Sequence, residues 1–134
     1  MRQVIVDTDI LSEFLRGNEK VSKQFNDYYK VFSEINISII TYYEILNGLL
    51  YRDARKQLSN FEMFIESNNI ISLTTESVNI SAQIQADLRK KGKEIGHTDT
   101  LIAGIAIANN FQLITNNTAH FKRIKTLEIA NWSK

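Results

Sequence analysis

Short apolar runs alternate along the chain with longer stretches in which apolar residues recur every three or four positions. The short runs predict strands and the longer stretches predict amphipathic helices. The predicted strands cover 3–6, 35–38, 70–73, 112–115 and 127–130. Because helical patterns separate successive strands, the connections are crossovers, which predicts an α/β fold with a mainly parallel sheet and helices on both faces.

The helical patterns have unequal character. Apolar residues at helical spacing mark segments 10–15, 18–32, 40–50 and 54–65, and a further stripe ends near Gly92. Residues 101–108 are apolar on every side, which is typical of a helix buried between layers. In sheets of this kind, ligands bind at the carboxyl ends of the strands. Polar residues directly after the strands are therefore the first candidates for chemistry.

Length and composition narrow the function classes. The chain has 134 residues, which predicts a single domain over 1–134. It contains no cysteine and two histidines, so a thiolate nucleophile is excluded and a zinc site is disfavoured. The opening residues do not form a signal peptide, and no apolar run reaches the roughly 18 residues that a membrane span needs. We expect a soluble protein of the reducing cytoplasm with no membrane association.

Three carboxylates are candidates for a functional site, and each also has a structural interpretation. Asp7 follows the first strand but could cap a helix, although Thr8 and Asp9 could cap it equally well. Glu44 lies on a narrow polar stripe of a helix, which could be only the solvated face. Asp99 opens the most apolar helix, where an acidic residue is favourable by the helix dipole alone.

If these carboxylates meet at one edge of the sheet, they form a hard, oxygen-rich site. Mg²⁺ or Mn²⁺ suits such ligands and commonly bridges to substrate phosphates. The chemistry that this site supports is phosphodiester hydrolysis, in which metal ions activate water and stabilise the charge that builds on phosphorus.

Four segments of the chain resemble successive blocks of the PIN-domain nucleases, and among them the VapC toxins of toxin–antitoxin pairs. The segments read VIVDTDILSEFLRGN, TYYEILNGL, IGHTDTLIAGIAIANN and LITNNTAHFKRI. The resemblance implies a three-layer α/β/α fold and a divalent-metal-dependent endoribonuclease that a cognate antitoxin holds inactive. It also implies that the chain forms a homodimer, as is common in the family.

The resemblance assigns roles to individual residues. Asp7, Glu44 and Asp99 take the metal-coordinating positions, and Asn117 takes a polar position after the fourth strand where relatives often carry Asp. His120 falls where many relatives are acidic; we expect it in a loop, either exposed or lightly hydrogen-bonded, with a phosphate contact as the functional alternative.

The carboxylate set is smaller than in the most acidic family members. Past Asp99 the only carboxylate is Glu128, so a fourth ligand is missing. We therefore expect one protein-bound metal ion, with a second recruited by the RNA phosphate. Asp9 stands where the family commonly has Asn, and capping is its expected role.

Basic residues cluster beside the predicted site segments although the net charge is only +1. The clusters are Arg89, Lys90, Lys91 and Lys93; Lys122, Arg123 and Lys125; and Arg52, Arg55 and Lys56. Such runs are often only solvated helix ends. A positive rim around a negative centre nevertheless suits an RNA strand. Arg89, Lys91, His120 and Lys122 are the candidate RNA contacts.

Two other functions stay open at this stage. The motif VIVDTDIL is also similar to the first motif of the haloacid-dehalogenase phosphatases, but no two acidic residues are adjacent anywhere in the chain. A weakened family member could instead act only as an antitoxin-binding or RNA-binding module. The aromatic-rich region 21–50 could form either a partner groove or the core.

Overall fold

The computed structural model describes residues 1–134, and its elements follow the predicted alternation. The strands are β1 (Val4–Val6), β2 (Asn36–Ser38), β3 (Asn69–Ile71), β4 (Gln112–Ile114) and β5 (Ile129–Ala130). The helices are α1 (Thr8–Leu15), α2 (Glu19–Tyr29), α3 (Ile39–Tyr51), α4 (Arg55–Glu66), α5 (Thr75–Lys90), α6 (His97–Ala108) and α7 (Thr118–Phe121). The sequence pattern missed α7 and, by opening α6 at Asp99, began that helix two residues too late.

The five strands form one parallel sheet in the order β3-β2-β1-β4-β5. The central strand β1 lies between β2 and β4, so the chain crosses from one half of the sheet to the other beside β1. Val6 pairs with Ile114, and the Asp7 amide continues the ladder by donating to the Ile114 carbonyl over 2.8 Å. The residues that follow β1 and β4 are therefore neighbours at the carboxyl edge.

Helices cover both faces of the sheet, and the predicted α/β fold is confirmed. Successive β1 side chains point to opposite sides. Val4 and Val6 pack into a core with α1, α2, α3 and α4, whereas Ile5 packs into a second core with α5, α6 and α7. The result is a three-layer α/β/α arrangement.

The aromatic residues of region 21–50 belong mostly to the first core. Phe25 and Tyr28 are fully buried, and Phe14 stacks on Phe25 with ring centroids 3.9 Å apart. Trp132 packs edge-on against Phe25. Tyr43 alone of the aromatic residues in this region is largely exposed. The region 21–50 therefore forms part of the core rather than a partner groove.

Helices α5 and α6 approach each other closely, which fixes the helix that carries Asp99. A Cβ atom at Gly104 would lie 1.9 Å from the Ser81 Oγ and 2.4 Å from the Ser77 carbonyl oxygen. The Ser81 hydroxyl donates to the Thr100 carbonyl over 2.8 Å. Because only glycine permits this contact, α6 is held firmly against α5. No helix in the fold combines the length and apolar character needed to cross a membrane.

Candidate active site at the carboxyl edge

Asp7 is the centre of the site. It follows β1 at the point where the chain switches between the halves of the sheet, which is where such folds bind ligands. Only 6% of the residue is exposed. Its Oδ1 accepts a hydrogen bond from the Thr8 amide over 2.9 Å, and its Oδ2 accepts one from the Thr115 hydroxyl over 2.7 Å. Both carboxylate oxygens are therefore held in fixed positions.

A hydrogen-bonded chain joins Asp7 to Asp99. The Thr115 hydroxyl that donates to Asp7 accepts from the Asn117 amide over 2.9 Å. The Asn117 side chain then donates through Nδ2 to the Asp99 Oδ2 over 3.2 Å. Asp99 lies in the first turn of α6 and Asn117 directly precedes α7, so the network ties both helices to the end of β4. The sequence-predicted residues Asp7, Asp99 and Asn117 therefore lie together.

His120 also joins this network. Its Nδ1 lies 3.0 Å from the Asn117 Nδ2 and 3.8 Å from the Asp99 Oδ2. Because the amide nitrogen donates, Nδ1 accepts, which places the ring proton of the neutral imidazole on Nε2. The expected loop is wrong, because His120 lies in α7. Its side chain is 45% exposed and hydrogen-bonded to Asn117, which agrees with the rest of that expectation. The four-residue helix turns the ring towards Asp99.

Glu44 reaches the site from α3 through Thr8. The Thr8 hydroxyl donates to the Glu44 Oε1 over 2.6 Å and lies 3.0 Å from the buried Thr41 hydroxyl. Because Thr8 is the first residue of α1, directly after Asp7, this bond connects Glu44 to the start of the helix that Asp7 caps. Glu44 is half-buried rather than on the fully solvated face of the helix.

Asp9 adds a carboxylate that the sequence interpretation had not placed in the site. Asp7, not Asp9 or Thr8, is the residue that caps α1, so the expected capping role of Asp9 is wrong. The Asp9 side chain instead accepts from the Ile10 amide over 2.8 Å and from the Asn116 amide over 3.2 Å. This second bond ties the first turn of α1 to the loop after β4.

Burial and neighbouring negative charges raise the pKa values of two site carboxylates, Asp7 and Asp9. Burial, followed by the nearby Asp9 carboxylate, raises the pKa of Asp7 from 3.8 to about 7. The hydrogen bonds from Thr115 and Thr8 lower it, and Asp99 adds a smaller increase. Burial also raises the pKa of Asp9, with a further contribution from Glu13. No lysine or arginine forms an ion pair with any of the site carboxylates.

The donor set fits a divalent cation, although no three acidic or histidine side chains have the spacing of a complete metal cage. Asp7 is a buried carboxylate with no cationic partner, which is the environment that a bound cation would relieve. Glu44 is turned towards Thr8 by its hydrogen bond. Magnesium is usually bound by one or two carboxylates and several waters, so an open site of this kind is sufficient.

The basic residues predicted to contact RNA lie at the ends of α5 and α7. Arg89 and Lys91 lie at the C-terminal end of α5, and Lys122 follows α7. The Arg123 guanidinium donates to the Lys93 carbonyl over 3.3 Å, which draws two of the basic clusters together. Neither Arg89 nor Lys91 contacts a site carboxylate. Their contact with RNA stays a prediction.

Two threonines in the site were missed by sequence reasoning. Thr115 had been counted as the last residue of a strand, and Thr8 only as a possible cap. The signal for Thr115 was available in principle, because the residues that follow two adjacent parallel strands lie side by side. The signal for Thr8 was weaker, since its bond to Glu44 depends on how α1 and α3 pack.

Comparison with known proteins identifies the class. The PIN domain family model matches residues 4–127. The chain belongs to the PIN domain family, and the family resemblance seen in the four sequence blocks is confirmed. The alternative assignment to the haloacid-dehalogenase phosphatases is therefore wrong.

Within this family, similar proteins include two of the VapC type. Ribonuclease VapC2 of Rickettsia felis is 36% identical over 101 residues, which cover 75% of each chain. The tRNA(fMet)-specific endonuclease VapC of Salmonella typhimurium is 33% identical over 101 residues, which cover 75% of this chain and 76% of that protein.

A solved structure agrees closely with this fold. The crystal structure of VapBC2 from Rickettsia felis bound to a DNA fragment from their promoter superposes with a TM-score of 0.88 at 28% identity. It covers 96% of this chain and 98% of that one. The likeness extends over the whole sheet and both helical layers.

Proposed function

We propose that this chain is a divalent-metal-dependent endoribonuclease that acts as the toxin of a toxin–antitoxin pair. The observation that carries the proposal is the hydrogen-bonded network at the carboxyl edge, which gathers Asp7, Glu44, Asp99 and Asn117. Relatives named as a ribonuclease and a tRNA endonuclease support the reaction class.

The proposed roles follow from the contacts of each side chain. Asp7 and Asp99 would hold the cation, Glu44 would complete its shell directly or through water, and Asn117 would position Asp99 through its amide. The Thr115 hydroxyl fixes the Asp7 Oδ2, and the Thr8 hydroxyl fixes the Glu44 Oε1.

PIN-domain nucleases use divalent metal ions, and we propose Mg²⁺ or Mn²⁺ for this chain because its donors are hard oxygens. The bound ion would supply an activated water and stabilise the charge that develops on phosphorus. The protein keeps Asp7 deprotonated only in part at neutral pH, because its pKa is raised to about 7. A cation at this position would favour the ionised form, so metal binding would release a proton.

Partners and location follow from the same proposal. Solved relatives include VapBC assemblies from Rickettsia felis and Salmonella typhimurium. We propose that this chain likewise pairs with a cognate antitoxin, that it forms a homodimer, and that residues 1–134 work as one nuclease domain. Its proposed substrate, RNA, places its action in the cytoplasm. Co-purification of the chain with the product of an adjacent gene would test the pairing.

The decisive experiment is cleavage of RNA by the purified protein with and without Mg²⁺ or Mn²⁺. Asp7→Asn should abolish cleavage. Asp27→Asn is the matched control, because Asp27 is an exposed carboxylate of α2 that pairs with Lys23 and Lys30 away from the site. RNA binding without cleavage would instead favour a non-enzymatic module. Phosphate release from small phosphoesters would contradict the nuclease assignment.

A further inference from the structure

A groove of about 350 Å³ begins at the site and runs between α1, α3 and α4. Thr8 and Glu44 line its inner end, so it is continuous with the proposed catalytic centre. Leu15, Ile45 and Leu49 form an apolar floor. The groove therefore offers a path for a substrate that extends beyond the reacting phosphate.

Two arginines line this groove, and neither has a partner. Arg16 follows α1 and Arg52 follows α3. Both residues are exposed, and their guanidinium groups form no ion pair or hydrogen bond. Arg55, by contrast, pairs with Asp53, and Arg2 pairs with Glu128. The donors of Arg16 and Arg52 are therefore available to an anion.

Both arginines follow a helix that begins or passes at the site, and the Arg52 side chain turns back towards it. Arg16 lies eight residues after Thr8, and Arg52 lies eight residues after Glu44, which is about 12 Å along each helix. Helical side chains lean towards the N-terminal end of their helix. In agreement, a Cβ atom at Gly48 would lie 3.4 Å from the Arg52 Nη1, so the guanidinium folds back by one turn in the direction of Glu44.

We propose that Arg16 and Arg52 form a subsite for an RNA backbone phosphate a short distance from the scissile bond, on the side of Glu44. Guanidinium groups match the geometry of phosphate and are the preferred side chains for binding it. The apolar floor can accept the face of a base, and Gln57 at the groove offers an amide to a base edge. This inference rests on the proposed function, because it assumes that the substrate is RNA.

The test compares three proteins, namely Asp7→Asn alone as the parent, the parent with Arg16→Ala/Arg52→Ala, and the parent with Arg2→Gln. Arg2→Gln also removes an arginine charge, but it does so at the amino edge of the sheet, away from the groove. All three carry Asp7→Asn, so that a fluorescent single-stranded RNA is bound without being cut. The double variant should bind about tenfold more weakly, and its slope of log K against log salt should fall by about 0.7 for the lost phosphate contact. Arg2→Gln should leave both quantities unchanged.

A length series of RNAs locates the subsite. Oligonucleotides too short to reach the groove should bind the double variant and its parent equally, whereas longer ones should discriminate between them. Equal affinity and equal salt slope for every length would overturn the subsite. Normal RNA binding combined with loss of antitoxin binding would show that the groove docks a protein, which would also overturn it.

The failure of the two proposals can be told apart. If the protein without any substitution cleaves no RNA, the proposed nuclease function fails, while the binding series still decides on the subsite. If it cleaves RNA and the arginine substitutions in the active protein leave kcat/KM for long RNA unchanged, only the subsite fails.

Discussion

Replacing Asp7 with asparagine should make the metal-free protein more stable at neutral and alkaline pH while abolishing catalysis. Asp7 has a folded-state pKa of about 7 against an ordinary value of 3.8, mainly because it is buried. The folded protein therefore binds this proton more tightly than the unfolded chain does. The stability that this contributes is complete below about pH 4 and is lost as pH rises towards 7.

The magnitude follows from the shift. About three pKa units at about 1.4 kcal/mol each correspond to about 4 kcal/mol between the two ends of this range. Asparagine does not ionise, so the substituted protein avoids this loss. Its amide oxygen can still accept from the Thr8 amide, but its nitrogen cannot accept from the Thr115 hydroxyl, which costs about 1 kcal/mol. The expected net gain at pH 8 is about 3 kcal/mol.

The assay is urea unfolding of both proteins in a metal chelator between pH 4 and pH 8. At pH 8 the variant should also melt about 10 °C higher, given the size of the chain. Near pH 4 the variant should be slightly less stable than the unsubstituted protein, because only the loss of the Thr115 bond then counts. Asp27→Asn controls for the general effect of removing a carboxylate. The hydrogen bond from Lys23, together with its charge, lowers the pKa of Asp27, so the contribution of Asp27 to stability has the opposite sign and its removal should bring no gain at pH 8. A variant of Asp7 that is less stable at every pH, with no pH dependence in the difference, would refute the reasoning.

Three further predictions concern the rest of the site. Mg²⁺ should raise the Tm of the unsubstituted protein more than that of Asp7→Asn, and equal shifts in thermal denaturation would contradict a cation at Asp7. Thr115→Val removes a hydrogen bond that lowers the pKa of Asp7, so this pKa should rise further. The acidic limb of the pH–rate profile should then move to higher pH. An unchanged limb would mean that ionisation of Asp7 does not control the rate. Gly104→Ala should destabilise the fold by about 1–3 kcal/mol in urea unfolding, because its Cβ would overlap Ser81. A neutral result would mean that α5 and α6 can separate without loss.

The layered fold could be predicted because most of its elements carry their own periodicity. The apolar stripe of α5 and the apolar run 101–108 of α6 are visible in the sequence without knowledge of their neighbours. The helix α7 has only four residues, which is too short to display a helical repeat. The start of α6 at His97 was missed by two residues because His97 and Thr98 are polar and resemble the end of a loop.

The site could be predicted in its carboxylates but not in its connections. The position of Asp7 after a strand was sufficient to single it out. The bond between Thr115 and Asp7 depends on the register of β1 with β4, which the sequence does not specify. The arrival of Asp9 near Asp7 likewise depends on how α1 leaves the sheet. The sequence therefore did not predict the contacts that depend on how distant segments pack, although it did predict the residue types that make them.

Asp7 has two roles, and this matters for the design of a catalytically inactive variant of the protein. The same carboxylate that is proposed to bind the cation also starts α1, through its bond to the Thr8 amide. Truncation to alanine would erase both functions at once, and any phenotype would mix loss of chemistry with fraying of the helix that walls the groove. Asparagine preserves the helix start, so it is the substitution with which a silent, correctly shaped toxin should be made for trapping its substrates.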